Sequence, residues 1–84
     1  MSNTENRVRE ACKTVLGTLE SDRRACRLCA KTYKTANPEL AVDKHTEAVN
    51  HTIAIRVLKG HIITPNTLEA IESLEKEKCG ITPN

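Results

Sequence analysis

Apolar or small residues recur along the first part of the chain at Val8, Cys12, Val15 and Leu19, and again at Cys26, Cys29 and Tyr33. Steps of four and three residues sustained this way describe a helix with one buried seam. Two positions disturb the pattern: Asp22 falls on the seam, and Gly17 costs about 1 kcal/mol relative to Ala in a helix interior. The pattern therefore predicts one long helix over 4–36, or two in succession with a break near Ser21-Asp22, where Ser21 could cap the second.

Asn37-Pro38-Glu39 closes that element and opens another, because Asn at the N-cap and Pro in the first turn suit a helix start. Val42, Val49, Ile53 and Val57 then fall on one helical stripe, which predicts a helix over 38–59. The β-branched run Thr52 to Leu58 also fits a strand, with Lys59-Gly60 turning a hairpin into His61-Ile62-Ile63. Helix is preferred, since a lone two-stranded ribbon is marginal in water. A third start follows at Thr64-Pro65-Asn66-Thr67, with either Thr64 or Asn66 as cap. Leu68, Ile71 and Leu74 supply the buried stripe of a helix over 65–79, and Gly80 is a natural terminator. Residues 1–84 read as one all-α domain, a small three-helix hairpin or bundle, with 1–3 and 80–84 as flexible tails.

Composition changes this picture in one respect. Tyr33 is the only aromatic residue among the 84, and there is no Phe or Trp. Eighteen Leu, Ile and Val must fill the core, and a domain of this size buries only about 60% of its unfolded surface. A deep enzyme-like pocket is excluded, and help from a partner chain, a metal or a disulfide is favoured. No motif ties a nucleophile to a base, so the expectation is a protein that is not an enzyme.

The net charge of +2 points to no partner, but its distribution is uneven. Residues 1–35 hold eight basic and four acidic residues, whereas residues 61–84 hold two basic and four acidic. Such polarity suits antiparallel self-contact or an anionic ligand. Arg23, Arg27, Lys31 and Lys34, with Arg24 beside them, form a basic stripe that the heptad frame places on the outer, solvent-exposed face. No apolar run reaches the length of a signal peptide or a membrane span, so a cytoplasmic location with no membrane partner and reduced thiols is expected.

The four cysteines then pack, bind metal or do redox work. Cys26 and Cys29 lie three apart on one helix face, and His45 and His51 follow at spacings near those of a zinc site. On a continuous helix His45 and His51 point about 120° apart. The metal candidate is therefore Cys26 and Cys29 with one histidine, His45, and Cys12 or Cys79. The competing expectation is that Cys12, Cys26 and Cys29 are small buried seam residues and that no cofactor is held.

The segment from Thr52-Ile53 to Leu74 is similar to the last helices of phage-repressor-type helix-turn-helix domains, echoing their layout in Thr52-Ile53, Gly60, Pro65, Leu68 and Ile71. It departs from them upstream, where Leu40-Ala41 stands too far from Thr52 and no Gly occurs near residue 46. The resemblance implies DNA binding, with His51, Thr52 and Arg56 facing the groove. Three functional expectations follow. The first is a small regulatory or adaptor protein that binds a protein partner or itself as a homodimer, through an exposed apolar patch at Ile55, Leu58, Ile62 and Ile63. The second is a DNA-binding regulator using Arg23, Arg24, Arg27, Lys31, Lys34 and Arg56. The third is a zinc module built on Cys26 and Cys29.

Overall fold

The computed structural model describes residues 3–81 and consists of three helices. They are α1 (Asn3–Tyr33), α2 (Pro38–Leu58) and α3 (Pro65–Lys78). Among the described residues there is no strand, so the hairpin alternative for 52–63 gives way to helix and a short connection. No break occurs at Ser21-Asp22: α1 is a single helix of 31 residues.

Each helix boundary has a local cause. The Asn37 side chain accepts a hydrogen bond from the Leu40 amide and caps α2, with Pro38 behind it. Thr64, the first of the two candidates, caps α3: it accepts from the Thr67 amide while Thr67 Oγ1 accepts from the Thr64 amide. Replacing Thr64 with Ala should cost about 1 kcal/mol, measurable as a shift in the urea midpoint with an unchanged m value. Gly60 and Gly80 have φ of +89° and +69°. Behind them the His61 amide reaches the Arg56 carbonyl and the Ile81 amide reaches the Lys76 carbonyl, the closing bonds of two Schellman motifs. These are conformations only glycine adopts without strain.

The helices form an antiparallel hairpin with a third helix packed against it. Cross-helix bonds tie Cys26 to Glu47, Arg23 to Thr52 and Glu20 to Lys59, which fixes α2 running back along α1. The core between them is made of small residues: Ala30, Ala41 and Ala48 are essentially inaccessible, with Cys26 beside them. Cys79, at the end of α3, completes this cluster, and Ile81 packs against it. Ile81 therefore does not belong to a loose tail; residues 82–84 and 1–2 lie outside the described residues. Short side chains let the helix axes approach closely, which is how a chain without Phe or Trp closes an interior.

The buried face of α1 differs from the predicted seam. A straight helix drifts by roughly 20° per heptad against a strict seven-residue repeat. Over α1 that drift leaves Asp22 and Tyr33 exposed and turns Arg23, Cys26, Arg27 and Ala30 toward the other helices.

Candidate partner-binding surface

The interior contains a polar network as well as small apolar groups. Glu75 of α3 is wholly buried. Its Oε1 accepts from Arg27 Nε at 2.6 Å and its Oε2 from Arg27 Nη2 at 2.7 Å, a bidentate pair. Thr52 Oγ1 donates to Glu75 Oε2 at 2.8 Å and accepts from Arg23 Nη1 at 3.1 Å. One carboxylate thus joins all three helices. Burial on its own would raise the Glu75 carboxyl, but the Arg27 and Thr52 hydrogen bonds and the charges of Arg27 and Arg23 outweigh it and hold the group below its ordinary value. Arg23 Nε is buried without a partner.

This network corrects the expected nucleic-acid face. Arg23 and Arg27 are half-buried ligands of the interior, not an outer stripe, because the drift of the helix face carried them inward. Thr52, expected in a DNA groove, is buried against Glu75. Arg24, Lys31 and Lys34 are exposed, and Arg56 is half-buried.

The cysteines and histidines do not assemble as a metal centre. Among the described residues no three His, Cys, Asp or Glu side chains come together in a way that could hold an ion, so Cys26, Cys29 and His45 do not converge. The Cys26 thiol instead donates to Glu47 Oε2 at 3.3 Å, and His45 Nε2 lies 3.4 Å from the Glu72 carbonyl oxygen on α3. Burial first, and then the Glu47 hydrogen bond and charge, push the Cys26 thiol up to about 11. At neutral pH Cys26 should therefore resist alkylation while the half-exposed Cys29 reacts. Timed iodoacetamide labelling read by peptide mass spectrometry checks this order.

Of the large apolar side chains exposed among the described residues, Leu28, Tyr33 and Val42 lie toward the α1–α2 turn and the other five gather at the opposite end of the molecule. α1 is about 46 Å long and α2 about 31 Å. Lys59, just past the end of α2, stands beside Glu20. The first four turns of α1 therefore run on past α2. On this overhang Val8 is 58% and Val15 46% exposed, with half-buried Cys12, Leu16 and Leu19 on the same side. At its base is the elbow between α2 and α3, where Val57, Leu58 and Ile62 are exposed, Ile62 at 83%. Of the four residues expected as the contact patch, Leu58 and Ile62 lie open and Ile63 is half-buried. Ile55 is corrected: at 3% exposure it is core, because it faces inward on α2 one turn beyond Thr52.

Val8 and Val15 belong to the seam that the sequence packs either against the other helices or against a second copy, and within one chain the structure leaves both side chains exposed. A shallow cleft of about 340 Å³ between α2 and α3 is lined by His45, Val49, Asn50, Ile53, Leu68 and Glu72. No helix among the described residues is long and apolar enough to cross a membrane. The chain matches no known protein family model, no curated protein and no solved structure.

Proposed function

We propose that this chain is a small non-enzymatic regulatory or adaptor protein that works in the cytoplasm by binding protein partners, its own copies included, through helical surfaces. The observation that carries this reading is the overhang of α1, which shows Val8 and Val15 to solvent on the side that bears Cys12 and Leu19. A helical segment that packs against no other helix of its own chain lacks the tertiary support from which most helical stability comes, and an apolar stripe left open on it is a candidate interaction surface. The exposed elbow at Leu58 and Ile62 extends the same surface.

A nucleic-acid reading draws less support, since two of its five stripe residues, Arg23 and Arg27, are engaged in the interior. The test is retention on immobilised chain. Wild-type protein should hold a partner, itself included, that a Val8→Glu/Val15→Glu variant with an unchanged melting temperature does not hold. Equal retention by both chains, or by neither, would contradict the reading.

A further inference from the structure

We infer that the occupant of the overhang is a second copy of this chain, with the two α1 helices paired antiparallel over residues 7–20. This rests on the reading of the overhang as a binding surface and names what covers it.

The direction of the face is the first argument. Leu19 stands seven residues before Cys26 on nearly the same side of α1, and Cys26 is buried toward α2. The space over Val8, Cys12, Val15 and Leu19 is therefore the axial continuation of α2, with Leu58 and Ile62 near its floor. A helix placed there extends α2 along α1.

Area is the second. A specific interface takes roughly 800 Å² from each partner, more than one helical rod of about 24 Å supplies. The occupant must cover the rod and the elbow together. An antiparallel copy does both at once, because a two-fold axis through the overhangs lays the tip of each α1 against the elbow of the other.

The register is the third. Aligning the a and d positions of the two seams sets Val8 against the partner's Leu19, and Cys12 against the partner's Val15. Each layer then joins a smaller side chain to a larger one, so the layers have even volume.

Sedimentation equilibrium and disulfide mapping test this together. The reduced chain should show a mass rising from 9.3 kDa toward twice that value with concentration. Val15→Glu should weaken the dimer by tenfold or more while leaving the far-ultraviolet melting curve of the folded unit in place. In a Val15→Cys variant, mild oxidation should give a covalent dimer, isolated on a non-reducing gel, in which Cys12 of one copy is linked to the thiol introduced at position 15 of the other; cleavage at Lys13 separates the two peptides for mass spectrometry. A mass fixed at the monomer value to millimolar concentration would overturn self-pairing, whatever the retention experiment gave for other partners. Links joining position 12 to 12 and position 15 to 15 would overturn the antiparallel register.

Discussion

Replacing Arg27 with Ala is expected to cost about 3–5 kcal/mol of folding stability, because it strands a wholly buried carboxylate without its charge partner. Natural domains have only about 5–15 kcal/mol in total, so the variant should be largely unfolded by mild urea. Arg24→Ala, three residues away on the exposed side, should stay within about 0.5 kcal/mol of wild type. The paired change Arg27→Met with Glu75→Leu should cost less than Arg27→Ala, since the wholly buried carboxylate is then removed together with its partner.

The pH dependence separates this origin from a simple loss of packing. In the wild type the Glu75 carboxyl is depressed on folding, so its contribution is present above the unfolded value of about 4.3. That contribution fades as pH falls through the lower, folded value. Without Arg27 the burial effect dominates, the folded carboxyl is raised, and its penalty grows as pH rises. The deficit of Arg27→Ala should therefore shrink as the solution is acidified toward pH 4. A deficit that is constant with pH in chemical denaturation would contradict the assignment.

The second large effect is expected at Ile71. This side chain is inaccessible on α3, the helix that otherwise meets the hairpin through Leu68, Leu74, Glu75 and Cys79. Ile71→Ala should cost about 2–5 kcal/mol, the lost burial plus the cavity left behind. Leu74→Ala, at a half-buried position, should cost less. Equal costs at the two positions in urea titrations would show that α3 is not seated as described.

These two sites mark where the sequence was readable and where it was not. The helix ends were legible because they are set by local chemistry. Asn37, Thr64 and Gly80 cap or terminate helices through bonds that span at most five positions. The three-helix order and the stripe of α3 were legible for the same reason. The Glu75 network was not, because Arg27 and Glu75 stand 48 residues apart and each resembles a solvated surface residue in its own helix. A heptad extended over the whole of α1 placed the arginines outside, and the accumulated drift of a straight helix reversed that. The contact patch was half legible: Leu58 and Ile62 follow from their place at the end of α2. The exposure of Val8 and Val15 required knowing that α2 stops beside Glu20.

The scarcity of aromatic residues fits the same architecture. Alanine and cysteine line the α1–α2 contact, a close helix approach that larger side chains would prop apart. That leaves a small interior in which Val49, Ile55 and Ile71 are the only large aliphatic side chains buried among the described residues, joined by one buried ion pair, and a helix much longer than its partner.

Amide hydrogen exchange along α1, measured in dilute and in concentrated solution, tests most directly whether the overhang is a surface ordered by a partner copy. In dilute solution residues 5–16 should exchange rapidly while the amides around Cys26 and Ala30 stay protected. On concentration the protection should extend to residues 5–16. Exchange in that segment that is equally slow at both concentrations, or equally fast, would contradict it.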